Sequence, residues 1–380
     1  MKDHDQWDEA FYYQERKEHR KDRKIASFKD RSQFKKTDQD QKRKHQTSSE
    51  EGTEHLQEGR VLSIAPEGII VDSSGNFYLC TLKGSLKQQN MRTKNLVAVG
   101  DFVLFQKETS QQKELTGTII RIKERRSLLS RADNLSRRKE QLIAVNIDQV
   151  LITCSVFKPP LKPSLIDRYI IAAQKGHMQP VIVVNKIDLL MQDPDLLSVS
   201  EKAVLLKEKE LYALFLDTYQ SIHIPVLPVS AATGEGIQPL IDIMQNKASV
   251  FSGQSGAGKS SLINTITGSA LRTGFLAQHT MKGSHTTTAA SLLPIEGGGF
   301  CIDTPGIRSF GIWDLDREEI EAYFPEIFET GRQCRYVDCR HFQEPDCAVH
   351  KALEEGTISP LRFDSYCALM TDIATEHKHR

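Results

Sequence analysis
The chain has 380 residues, balances 50 Lys and Arg against 50 Asp and Glu, and is 39% hydrophobic, the composition of a globular protein of two or three domains. A neutral sum argues at first sight against a nucleic-acid binder, which usually carries a high isoelectric point. No run of about 18 apolar residues is present to cross a membrane, the N-terminus lacks the apolar stretch of a secretory signal, and seven Cys are too few for a disulfide scaffold and fit a reducing, cytoplasmic setting.

The neutral sum hides segregated charge. Residues 1–15 hold one Lys and five acids, whereas 16–46 hold thirteen Lys and Arg against five acids. With few aliphatic side chains, 1–55 cannot bury enough surface to offset its ordering entropy and is expected to be a disordered tail. Its basic half reads either as an arm that touches phosphates or as a solvated segment.

Residues 56–131 contain short β-type runs: RVLSIA, GIIVDSSG, NFYLCTL, NLVAVGDFVLFQ and LTGTIIRI. Enriched in Val, Ile, Phe and Tyr and separated by turn residues, they predict a small all-β barrel of the OB-fold type. Such barrels commonly bind nucleic acid. Twelve Lys and Arg against seven acids, with Arg121, Lys123, Arg125, Arg126 and Arg131 at the end, suggest a basic rim. A barrel used only for packing is the alternative.

From 132 to 312 apolar strands alternate with helical patterns, which predicts an α/β domain with a parallel sheet. The strand runs are QVLITCSV (149–156), PVIVVN (180–185), IPVLPVS (224–230), ASVFSG (248–253), SLLPI (291–295) and FCID (300–303). Helices are expected over 165–176 and 200–219. The end, 313–380, reads as a helical domain; residues 307–380 hold nine Lys and Arg against fifteen acids.

The run Gly253-Gln254-Ser255-Gly256-Ala257-Gly258-Lys259-Ser260, followed by Ser261, fits the phosphate-loop pattern between a strand and a helix. Glycines let backbone N–H groups approach phosphate, and the helix N-terminus adds a positive dipole end. Lys259 is expected to reach the β- and γ-phosphates and Ser260 to ligate Mg²⁺. Asn185-Lys186-Ile187-Asp188 follows another apolar strand. There Asp188 can accept hydrogen bonds from guanine N1–H and the exocyclic amine, whereas adenine would leave it unpaired. Ser230 and Ala231, at the end of a third strand, match a loop that offers a backbone N–H to guanine O6. Together these residues favour GTP over ATP.

Downstream, Asp303 after FCI can hold Mg²⁺ through water, and Gly306 can meet the γ-phosphate through its N–H. Thr287, in the run His285-Thr286-Thr287-Thr288, is expected to complete the Mg²⁺ shell. Ile307 stands where many small GTPases place a water-orienting Gln, so intrinsic hydrolysis should be slow. Cys334, Cys339, His341 and Cys347 supply three thiolates and an imidazole within fourteen residues. This is a closed set suited to one structural Zn²⁺, with free thiols the alternative. Cys80, Cys154, Cys301 and Cys367 read as core residues.

In ordinary GTPases the phosphate loop comes first. Here NKID precedes it and Asp303 comes last, a circularly permuted G4-G5-G1-G2-G3 order. That order, with GQSGAGKSSLIN, HTTT, DTPG, NIDQVLI, LIDRYI and the Cys/His cluster, resembles the small-ribosomal-subunit biogenesis GTPase family RsgA (YjeQ) over roughly residues 56 to 370. The resemblance implies a late maturation factor that binds the small (30S) subunit and its rRNA and is stimulated by it to hydrolyse GTP to GDP and phosphate. It strengthens the Zn²⁺ assignment and makes His285 a candidate to position water, beside Lys259 and Thr287 as catalytic residues. A cytoplasmic monomer with no membrane partner is expected. The alternative is a permuted GTP-binding RNA module with little intrinsic hydrolysis, acting in translation control or another RNA process.

Overall fold
The computed structural model describes residues 56–84, 86, 96–108, 115–133, 136–192, 198–267, 290–295, 297–303 and 317–378; the expected tail, 1–55, lies outside them. The alternating runs at the start of this range form β1 (Leu56–Ala65), β2 (Gly68–Ser73), β3 (Asn76–Leu82), β4 (Phe102–Glu108) and β5 (Thr116–Ile122). They close into a barrel in the order β1-β2-β3-β5-β4, which removes every open edge. Val61, Val71, Tyr78, Cys80, Val103, Phe105 and Ile119 fill its interior.

Two details differ from expectation. Residues 96–101 do not extend β4. They form a turn in which Asp101 accepts the Ala98 N–H at 2.7 Å, and Val99 makes an isolated parallel bridge to Ala144. A hairpin of β6 (Leu128–Asp133) and β7 (Ser136–Val145) follows the barrel, so the border expected at 131 falls inside a strand. The barrel residues Leu62, Ile70 and Val99 share one core with Leu129, Ala144, Ile147 and Val150.

Several cations of this region have partners within the fold. Arg125 grips buried Asp101 through Nε at 2.7 Å and NH2 at 2.8 Å. Lys123 pairs with Glu58 at 2.6 Å and Arg126 with Asp148 at 3.8 Å. Arg60 donates to the Asn146 carbonyl at 2.6 Å and lies between the rings of Phe102 and Phe300, 4.9 and 5.1 Å from their centroids.

The central sheet has six strands, β8 (Gln149–Ser155), β9 (Gln179–Asn185), β10 (Val226–Pro228), β11 (Ala248–Gly253), β12 (Ser291–Pro294) and β13 (Phe300–Asp303). Their order is β10-β9-β8-β11-β13-β12. Five are parallel, but β12 runs antiparallel to β13, so the sheet is mixed rather than purely parallel. Successive residues of β8 and β9 serve two cores, Val150, Ile152, Ile182 and Val184 on one face and Leu151, Val181 and Val183 on the other. Burial on both faces explains why these strands read as continuous apolar runs. Around them lie α1 (Pro163–Lys175), α2 (Val199–Ser221), α3 (Ile237–Met244) and α4 (Lys259–Thr267). Helix α2 opens on a capping box between Ser198 and Glu201.

The chain ends in α5 (Arg317–Ala322), α6 (Pro325–Gly331), α7 (Ala348–Glu354) and α8 (Pro360–Lys378). Ile320, Phe324, Ile327, Val349 and Tyr366 build their core, which also takes in Ile171 of α1. One buried side chain locks this unit to the sheet domain. Arg362, 2% exposed, pairs with Asp167 of α1 at 2.5 Å and with Glu326 at 2.6 Å, and its guanidinium stacks 4.1 Å from the Phe324 ring centroid. Tyr219 of α2 donates to Asp167 at 2.9 Å. Burial alone would lower the pKa of Arg362, but the two carboxylates outweigh it and raise that pKa above the ordinary arginine value. Cys80, Cys154 and Cys301 are buried strand residues and Cys367 is a partly buried one on α8.

Candidate nucleotide site and metal centre
The C-terminal ends of parallel strands gather the motifs at one edge of the sheet, where α/β folds place ligands. NKID starts on the last residue of β9, Ser230 and Ala231 follow β10, the phosphate loop starts on the last residue of β11, and Asp303 ends β13. Asn185 ties three of these together. Its Nδ2 donates to the Ala257 carbonyl at 2.8 Å, while its Oδ1 accepts N–H groups from Lys186 at 2.8 Å and Ala231 at 3.1 Å. Gly258 leaves room for this tie, since a Cβ there would lie 2.3 Å from Asn185 Nδ2.

Lys186 takes a left-handed backbone, φ 66°. Its Nζ donates to the Gly256 carbonyl at 2.8 Å and to the Lys158 carbonyl at 2.5 Å. The Ile187 N–H donates to Val229 at 3.3 Å, anchoring the NKID turn to β10. Ser230, fully buried, donates from Oγ to Asp188 Oδ1 at 2.6 Å. That bond orients the carboxylate and leaves its second oxygen for a ligand. Asn185, Lys186, Asp188, Ala231, Gly258 and Ser261 help line a cavity of about 270 Å³. It joins an apolar floor to a few convergent polar groups, the usual make-up of a ligand site.

At the phosphate end, Lys259 Nζ bridges the carbonyls of Gly253 at 2.9 Å and Gln254 at 2.7 Å, so its charge sits over the loop. Ser255, Gly256 and Ser260 are exposed toward solvent. A wall that the sequence does not announce is the segment Lys158-Pro159-Pro160 after β8. Gln254 donates from Nε2 to the Pro160 carbonyl at 3.1 Å, beside the Lys186 bond to Lys158. Its only sequence signal is the Pro pair, which marks a rigid turn without naming its neighbour. His285, Thr287, Gly306 and Ile307 lie outside the described residues.

Away from this edge, the knuckle between α6 and α7 brings the four expected ligands together. One ligand atom from each of Cys334, Cys339, His341 and Cys347 lies within 4.8 Å of the others. Cys334 Sγ is 3.8 Å from Cys347 Sγ, and His341 Nδ1 is 3.5 Å from Cys334 Sγ and 3.4 Å from Cys347 Sγ. Tetrahedral zinc with its usual bond lengths sets sulfur–sulfur edges of about 3.8 Å and sulfur–nitrogen edges of about 3.5 Å. The residues therefore fit a zinc ion in size and chemistry. Glu344 braces the loop between the ligands by accepting N–H groups from Arg340, Phe342 and Gln343 at 3.0, 2.9 and 3.1 Å. Burial opposes ionisation of Glu344, but these backbone donors win and hold its pKa down to about 2.

Known proteins are similar to this chain over most of its length. The family model described as RsgA GTPase matches residues 122–313. Over 284 residues the chain is 39% identical to the Small ribosomal subunit biogenesis GTPase RsgA of Chlorobaculum parvum, covering 73% of this chain and 86% of that protein. It is 35% identical over 328 residues to the protein of the same name from Bacteroides fragilis, covering 83% and 99%. Among solved structures, YjeQ from Thermotoga maritima is similar with TM-score 0.63 and 31% identity, covering 84% of this chain and 99% of that one. YloQ, a circularly permuted GTPase, is similar with TM-score 0.62 and 27% identity, covering 87% and 99%. The chain belongs to the RsgA family of circularly permuted GTPases.

Proposed function
We propose that this GTPase acts on the small ribosomal subunit, assists its late maturation and is stimulated by it to hydrolyse GTP to GDP and phosphate. The observation that carries the reading is the convergence of Asn185, Asp188, Ser230 and the phosphate loop at one sheet edge in a chain matching relatives of that name over most of its length. We divide the chain into a tail (1–55), a barrel that begins at 56, a permuted GTPase domain that ends at 312 and a helical zinc-binding domain (313–380). The protein works as a cytoplasmic monomer whose contacts on the subunit include rRNA.

Asp188 reads the guanine edge and discriminates against adenine, which offers no donors there. The phosphate-loop N–H groups and Lys259 take up the charge that develops on the transferred phosphoryl group. Ser260 and Thr287 would hold Mg²⁺, with Asp303 supporting it through water, and the ion would neutralise phosphate charge when bound. Gly306 meets the γ-phosphate. His285 positions the attacking water in place of the usual Gln, since the aliphatic Ile307 cannot. Cys334, Cys339, His341 and Cys347 hold one structural Zn²⁺.

The test is turnover of GTP and of ATP, with and without purified small subunits. GTP turnover is expected to rise at least tenfold with the subunit, and ATP to stay inert. Equal GTP turnover with and without the subunit defeats the ribosomal reading. Substituting His285→Ala is expected to remove the stimulation while leaving GDP binding intact.

A further inference from the structure
We propose that Glu321 is the outer partner of the zinc-binding imidazole, fixing His341 so that Nδ1 faces the metal and Nε2 does not. The inference deepens the zinc reading above and rests on it. The two ring nitrogens of His341 have different neighbours. Nδ1 lies 3.5 and 3.4 Å from the thiols of Cys334 and Cys347, whereas Nε2 lies 3.3 Å from Glu321 Oε1. His341 is 1% exposed, so water does not serve the far nitrogen. A neutral imidazole that ligates through one nitrogen carries its proton on the other, and a buried N–H needs an acceptor. Glu321 supplies it, and a carboxylate in that place makes the ring a stronger donor to the metal.

The room for this contact comes from Gly331. A Cβ there would lie 2.9 Å from Glu321 Oε1 and 3.0 Å from His341 Nε2. The bare backbone at the end of α6 therefore lets the carboxylate and the ring meet. Glu321 stands apart from the Cys/His cluster in sequence. It sits on α5, the first described helix after Asp303. The contact thus ties the ligand set to the helix reached from the phosphate side of the sheet.

The test uses the full-length protein and its Glu321→Ala, Glu321→Gln and Gly331→Ala variants. Elemental analysis of the wild type comes first; a chain without zinc overturns the zinc reading and this inference with it. Given one zinc, its transfer to a chromogenic chelator is timed. Glu321→Ala is expected to release zinc about 10- to 100-fold faster, with Glu321→Gln, which keeps an acceptor, in between. Gly331→Ala is expected to release it faster as well. Long-range ¹⁵N spectra of the wild-type ring should show Nδ1 metal-bound and Nε2 protonated. Wild-type release from Glu321→Ala, or metal on Nε2, overturns the inference and leaves the zinc reading standing. Should Glu321→Ala fail to fold, the wild-type ring spectrum and the Gln variant decide.

Discussion

The nucleotide edge and the metal knuckle are built in opposite ways. Asn185 reaches Ala257 across 72 positions and Ser230 reaches Asp188 across 42, yet both pairs meet because their strands share one buried sheet. The knuckle gathers its ligands within a short stretch, Cys334 and Cys347 being 13 positions apart. It has turns in place of regular elements between α6 and α7. The first site inherits its shape from the packed sheet. The second sets its Cys side chains against the core of the flanking helices and is braced by the Glu344 carboxylate.

The largest effect should come from removing the metal. Structural zinc contributes about 10 kcal/mol or more to such small units. Chelation, or Cys347→Ser, is therefore expected to abolish hydrogen-exchange protection over 332–347 while GDP affinity holds. Parallel loss of GDP binding would show that the two regions are not independent. Arg362→Met attacks the link between the helical unit and the sheet domain by leaving buried Asp167 and partly buried Glu326 without their cation. A loss of about 3 kcal/mol in urea unfolding is expected, and an unchanged midpoint would refute the clamp.

Asp188→Ala tests the edge itself. GTP affinity is expected to fall about 100-fold, or about 2.7 kcal/mol, with zinc content unchanged by elemental analysis. Glu344→Gln is the smallest and most local change. Its carboxyl is depressed in the folded state, so its stabilisation is complete above the unfolded pKa of about 4.5 and is lost as pH falls toward about 2. Because the group is partly exposed, about 1 kcal/mol is expected after screening. The measurement is knuckle stability against pH, whose acid slope over that window should be shallower in the variant by the Glu344 share, with protonation of the Cys and His side chains setting the rest.

Motifs that depend on local backbone are legible in the order of residues alone. The phosphate loop, NKID and the Cys/His cluster are each set by short spacing, and the strands of the sheet stand out as apolar runs. Charge and hydropathy mislead elsewhere. The hairpin of β6 and β7 is absent from the predicted strands, although Ile143, Ala144 and Val145 of β7 pack in the core. The turn at 96–101 reads as strand because Val97, Ala98 and Val99 are apolar; they are buried as a turn against the barrel and hairpin.

By itself, the sequence determined the permuted order of the motifs and the make-up of the Cys/His cluster, because these rest on residue types in chain order and at short spacing. Only the tertiary structure decided which charges are already spoken for. Arg125 reads as part of a basic rim and is held by buried Asp101, Arg362 carries no motif and is the clamp between domains, and Glu321 gains its partner only where the fold sets His341 beside it. Ion pairing and hydrogen bonding act over a few ångströms of space, and the distance between two residues in a folded chain is set by packing rather than by their separation in sequence.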